Sequence, residues 1–161
     1  MERVQQGFTL QNVVLEYATA ALIDKVCAEI RSGNPICLQR HALLKATAKT
    51  HVRESQRSLI LKPVAQRLVG EFGQAALVDR LSTIVAYLRR HDTYHGGYAG
   101  GNFLNLMVQL GVSLYAHDFS QLAMWQADLR SVSAQNVNFH SADLSQSAFS
   151  DTFSSVLSLA F

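Results

Sequence analysis

After Gly111 the apolar residues fall into a period of five, and that period rules out an ordinary helix or strand. The pentads read GVSLY, AHDFS, QLAMW, QADLR, SVSAQ, NVNFH, SADLS and QSAFS. Their central positions are Leu114, Phe119, Met124, Leu129, Ala134, Phe139, Leu144 and Phe149. Two places earlier stand Val112, His117, Leu122, Ala127, Val132, Val137, Ala142 and Ser147. Of these 16 positions 14 are apolar, while the outer positions are mostly Ser, Gln, Asp and Asn. Helices repeat at 3.6 residues and strands at 2, so neither produces this spacing. A fixed longer period marks stacked units that share a core. The register fails at Asp151, where Phe153 is out of phase, so the repeating segment is 111–150.

Two pentads contain Ala127-Asp128-Leu129 and Ala142-Asp143-Leu144, and Val137-Asn138-Phe139 and His117-Asp118-Phe119 match the same pattern in part. The segment resembles the pentapeptide-repeat family. That resemblance implies a right-handed quadrilateral β-helix with four pentads per coil, hence about two coils. Its core would be Leu114, Phe119, Met124, Leu129, Phe139, Leu144 and Phe149, with Ala127, Val137 and Ala142 beside them. Residues twenty apart would then meet, Phe119 over Phe139. Each buried Leu or Phe contributes roughly 1.5–3 kcal/mol, so two coils form a small core whose strand edges need covering.

Residues 1–110 read as helical. From Gln11 to Ser32, Val13, Val14, Tyr17, Ala21, Ile23, Val26, Cys27 and Ile30 recur at helical spacing, and Gly33-Asn34-Pro35 ends the run. A second helical stretch, from about Leu38 to Leu61, has a possible break near Thr47–Thr50. Pro63 is expected to force a boundary or kink. Val64 to Phe72 leads into Gly73, and Gln74 to Arg90 is amphipathic, with Leu77, Leu81, Ile84, Val85 and Leu88 on one side. After a glycine-rich loop, Asn102 is expected to cap a helix from Phe103 to Leu110, placed to cover the first coil. The whole reads as an α+β chain. Its parts are a helical linker over 1–110, the repeat over 111–150, and a remnant strand or cap over 151–161. Gly7-Phe8-Thr9-Leu10 and Val156–Phe161 look like strands whose partners lie elsewhere.

Charge divides the chain at the same place. Residues 1–110 carry 13 Lys/Arg against 8 Asp/Glu, and residues 111–161 carry 1 against 4. Lys45, Lys49, Arg53 and Arg57 stand four apart, with His41 extending the row; on a continuous helix they form one positive stripe. That stripe and Trp125, which follows inward-facing Met124, are the candidate partner surface. Phosphate contact by the stripe is the rival reading.

Chemistry is sparse. Cys27 and Cys37, ten apart, fit no zinc pattern and read as buried thiols. His91, Asp92, Tyr94 and His95 read as a polar turn rather than a metal site. Gly96 to Asn102 reads as a close-packing lead-in to a helix rather than an anion cradle. No GxxxxGK[ST] phosphate loop occurs. No catalytic residue, cofactor or metal is expected, nor any membrane span, and with no visible leader the cytoplasm is the default.

GFTLQNVVLEY, RHALLKATAKTHVRESQRSLIL, GGYAGGNFLNL, HDFSQLAMWQADLR and SVLSLAF together resemble bacterial signalling ATPases of the STAND class. In these an NB-ARC or NACHT domain precedes a winged helix, a helical linker, pentapeptide repeats and a WD-repeat propeller. The resemblance implies a non-catalytic scaffold between a nucleotide-binding switch and a sensor propeller, with those domains or a second copy as partners. Three rivals remain: a nucleic-acid-binding module using the stripe, a topoisomerase-interacting DNA mimic, and a hydrolase or other enzyme, which a convergent pocket with perturbed titratable groups would favour. The mimic needs a longer, more acidic rod than 111–161 provides.

Overall fold

Gly33 adopts a φ of 77°, a left-handed conformation that glycine enters without a Cβ penalty, and so ends α1 (Asn12–Ser32). The computed structural model describes residues 12–91, 97–130 and 132–149. Only the second half of α1 packs: Val26, Cys27 and Ile30 are buried, whereas Val13, Val14 and Tyr17 are exposed. Glu29, buried near the end of α1, accepts the N–H groups of Cys37 (2.6 Å) and Leu38 (3.0 Å). Those donors open α2 (Ile36–Arg40) and have no partner within the helix.

The helical stretch expected from Leu38 to Leu61, with its break near Thr47–Thr50, is interrupted over a wider span than that. The chain turns extended at His41 (φ −133°, ψ 132°) and re-enters a helix at Thr50. Asn102 holds the interruption open from across the core. Its amide nitrogen donates to the carbonyls of Leu38 (2.7 Å) and His41 (2.8 Å), and its oxygen accepts the N–H of Leu43 (2.8 Å). The irregular stretch buries Leu43, Leu44 and Ala46. Tertiary burial therefore outweighs the local helical pattern.

From Thr50 the helix continues as α3 (Thr50–Gln56), a π turn (Arg57–Leu61) and α4 (Lys62–Phe72). Pro63 does not end the helix, but it falls in the first turn of α4, where the π winding gives way to α. Its ring would collide with the carbonyl four residues back in an α-helix, and the preceding π turn widens the backbone there. The N–H of Lys62 accordingly donates to Arg57, five residues back. Gly73 (φ 76°) then separates α4 from α5 (Gln74–His91). α6 (Ala99–Gln109) starts earlier than expected, so Asn102 is no cap but a buried polar residue inside the helix.

The expected α+β class with a two-coil β-helix is overturned. Among the described residues there is no β-strand, and the regular structure is helical. Residues 112–130 and 132–149 are instead runs of turns joined by three single parallel bridges: Asp118–Asn138, Ala123–Asp143 and Asp128–Ala148. The reason is local. Ala116, Gln121, Gln126, Asn136, Ser141 and Gln146 all take φ between 56° and 62°, so a left-handed residue bends the chain before a second bridging residue can join the first. Asp118, Asp128, Asn138 and Asp143 reinforce the bends by accepting the N–H two residues on, at 2.9–3.3 Å. The pentapeptide β-helix description is withdrawn with the strands it required.

These turns form two tiers, 112–130 and 132–149, bridged at a spacing of twenty residues. Leu114, Phe119, Met124, Ala127 and Leu129 of the first tier are buried. Val137, Phe139, Ala142 and Leu144 of the second are half-buried, and Phe149 is 52% exposed. Phe119 and Phe139 stack across the tiers (5.8 Å between centroids, 14° between planes), and His117 stacks on Phe119. One hydrophobic cluster runs without interruption from Val26 and Leu38, through Leu68 and Leu81, to Phe103, Met107, Phe119 and Leu129. α6 lies at its centre and covers the first tier. Gly100 and Gly101 let it sit directly on the backbone of Ala123–Trp125.

No helix among the described residues is long and apolar enough to cross a membrane. Gly7–Leu10, Asp92, Tyr94, His95, the His91 side chain and Val156–Phe161 lie outside the described residues.

Candidate functional site

The helical layer and the tiers are joined by charge as well as by core. Asp128, 7% exposed, stands at the centre of this seam. Arg130 grips its carboxylate from two residues away, with Nε 2.8 Å from Oδ1 and a terminal nitrogen 3.0 Å from Oδ2. Arg57 approaches to 3.5 Å and Arg53 to 3.8 Å from the helical side. Arg130 also donates to the carbonyl of Ala46 (2.8 Å), so the same guanidinium ties the interrupted stretch to the turns. Asn105 of α6 completes the join. It accepts the Asp128 N–H (2.9 Å) and donates to the Gln126 carbonyl (3.0 Å).

Burial pushes the Asp128 carboxyl up, but the hydrogen bond and charge of Arg130 and the charge of Arg57 outweigh it, leaving it below the ordinary carboxylate value. Clefts of about 260 and 250 Å³ flank the Arg57–Asp128 pair. Their described lining residues include Leu44, Leu61 and Val108 beside Glu54 and the three arginines and Asp128 of the seam. The arrangement attaches one layer to another.

Two further aspartates make comparable contacts. The Ser120 hydroxyl and backbone hold Asp118 below its ordinary value, with Arg89 of α5 adding an ion pair. The Ser145 hydroxyl and the Trp125 indole do the same for Asp143.

The structure divides the sequence-derived partner surface. Arg53 and Arg57 turn inward to Asp128, whereas Lys45 and Lys49 are exposed and belong to the interrupted stretch rather than to the helix carrying the arginines. One continuous positive stripe is therefore not present. Trp125 is half-buried; its indole donates to Asp143 (2.6 Å) and its ring meets Tyr98 edge-on at 5.6 Å. Sequence reasoning missed Asp128 as the meeting point. The available signal was an acidic residue two positions before Arg130, opposite arginines spaced four apart. Cys27 and Cys37 are buried, and burial raises both thiols. Among the described residues no group of three His, Cys, Asp or Glu side chains is placed to hold a metal.

Comparison with known proteins gives one relevant likeness. The whole chain is similar to an uncharacterized WD repeat-containing protein of Nostoc sp., 38% identical over 195 aligned positions. The match takes in 100% of this chain and 16% of that protein, so the chain spans about a sixth of its relative. No family model matches, the pentapeptide-repeat family included. No solved structure matches.

Proposed function

We propose that the chain is a non-catalytic scaffold within a larger WD repeat-containing architecture, holding a nucleotide-binding switch and a sensor propeller in a fixed relation. The likeness along its whole length to a WD repeat-containing protein supports a role in protein–protein interaction. The observation that carries the scaffold reading is the single core. Helices and turns share one hydrophobic cluster and are cross-tied by Asp128 and Asn105, so displacement of one layer is transmitted to the other. The nucleic-acid reading loses force because two of its four stripe cations are engaged internally.

The test is cooperativity. In calorimetry the chain should unfold in one transition that coincides with loss of helical circular dichroism and of the Trp125 near-ultraviolet signal. Two separated transitions would refute a rigid connector. Purified chain incubated with ATP should release phosphate no faster than buffer; turnover abolished by a point substitution in this chain would refute the non-catalytic reading.

A further inference from the structure

We propose that the cleft between the interrupted stretch and the turns at Gln126 and Gln146 binds a small phosphate-bearing polyanion. The cleft measures about 630 Å³, within the roughly 300–1,000 Å³ of small-ligand sites. Arg40, His41 and Lys45 line one wall, with Thr47 and Tyr98 adjoining them. All three basic side chains belong to exposed residues, and among the described residues none is in an ion pair. Among the described residues no carboxylate lines the cleft. Arg40, Lys45 and His41 thus line one concavity, and no anionic group among the described residues balances the two cations. A phosphate group offers the acceptor geometry that such a set matches.

The opposite wall is fixed. Gln126, 5% exposed, accepts the Thr47 N–H (3.4 Å) and donates to the Gln146 side chain (2.7 Å). Its position is set by the fold and not by a ligand, which gives the cleft a rigid polar floor. The chemistry also selects the class of occupant. Among the described lining residues Ala42 is the only aliphatic side chain, so they offer an acidic peptide no pocket for an anchoring side chain. A nucleic-acid backbone would need cations in an extended row, and Arg53 and Arg57 are turned to Asp128 instead. This site does not rest on the scaffold reading, and either can fail without the other.

Pyrophosphate titrated into the full chain at low ionic strength tests it by calorimetry. Trp125, the single tryptophan, packs against Tyr98 of the cleft wall and is a built-in fluorescent reporter. Saturable one-to-one binding with a change in tryptophan emission is expected. Arg40→Gln and Lys45→Gln should each weaken it about tenfold, Lys45→Arg should retain most of it, and Lys62→Gln, exposed and outside the cleft, should leave it unchanged. Because Arg40 and Lys45 are exposed, the variants should keep the wild-type circular dichroism. Three results would overturn the proposal: no saturable binding of pyrophosphate, wild-type affinity in both glutamine variants, or tighter binding of an oligoglutamate peptide or a single-stranded oligonucleotide than of pyrophosphate.

Discussion

Gly101→Ala should destabilise this protein severely, although in an isolated helix the same change is favourable by about 1 kcal/mol. A Cβ at position 101 would stand 2.1 Å from the Trp125 carbonyl oxygen, 3.0 Å from its carbon and 3.1 Å from the Met124 oxygen. All three atoms are backbone, so no side-chain rotation relieves the collision. α6 and the turn must separate by about 1 Å, and overpacking of this kind costs about 1–3 kcal/mol. The separation also stretches the two Asn105 hydrogen bonds to Gln126 and Asp128, each contributing about 1 kcal/mol. Set against the propensity gain, the net loss is about 2–4 kcal/mol. At roughly 2–4 °C per kcal/mol for a chain of this size, calorimetry should show the melting temperature falling by about 5–15 °C. Gly70→Ala is the matched control, because a Cβ there meets nothing within 4 Å inside α4. It should leave the melting temperature unchanged or raise it. A Gly101→Ala protein melting at or above wild type would refute the close docking of α6 on the first tier.

Phe119→Ala, removing a fully buried ring, should cost about 3–5 kcal/mol in urea unfolding, whereas Gln135→Ala on the exposed turn should stay within about 0.5 kcal/mol. Asp128→Asn should cost about 3 kcal/mol, near the lower end for breaking a buried pair, because Arg57 and Arg130 are 39% and 30% exposed and regain water. The Asp128 carboxyl is depressed in the folded state, so its contribution is complete above the ordinary value of 3.8. It is lost as pH falls through the lower folded value. The stability gap between wild type and Asp128→Asn, measured by urea unfolding from about pH 5 downward, should therefore close on acidification.

What was legible in the sequence was the phase of each segment; what was not was its continuity. The period of five identifies Leu114, Phe119, Met124 and Leu129 as inward, and they are buried. The same period overstates the backbone. A residue at φ near 60° in most pentads leaves single bridges where strands were expected, and apolar spacing carries no information about how many consecutive residues pair. The stretch 38–61 fails for a different reason. Its helical pattern is real locally, but Asn102, some sixty residues away, claims the Leu38 and His41 carbonyls. Pro63 shows the converse: a residue that breaks α-helices is accommodated by a π turn that no propensity scale anticipates. Arg53 and Arg57 were legible as a pair four apart, but their acceptor lies more than seventy residues further on.

The charge division read from sequence acquires a direction from these contacts. Each described aspartate of the turns already has a partner: Asp118 has Arg89, Asp128 has three arginines, and Asp143 has the Trp125 indole and Ser145. The acidic surplus after Gly111 is thus largely spent within the fold. The basic surplus before it is not. Arg40, Lys45 and Lys49 remain exposed on the stretch that Asn102 pulls out of helical form. Had Leu38–Leu61 been one helix, Lys45 and Lys49 would have continued the Arg53–Arg57 row on a single face, where one long acidic partner could neutralise them all. The interruption instead separates the two arginines that fasten the layers from cations left facing solvent. A ligand or partner that engages the second group acts on the segment whose Ala46 carbonyl and Thr47 N–H are bonded to Arg130 and Gln126.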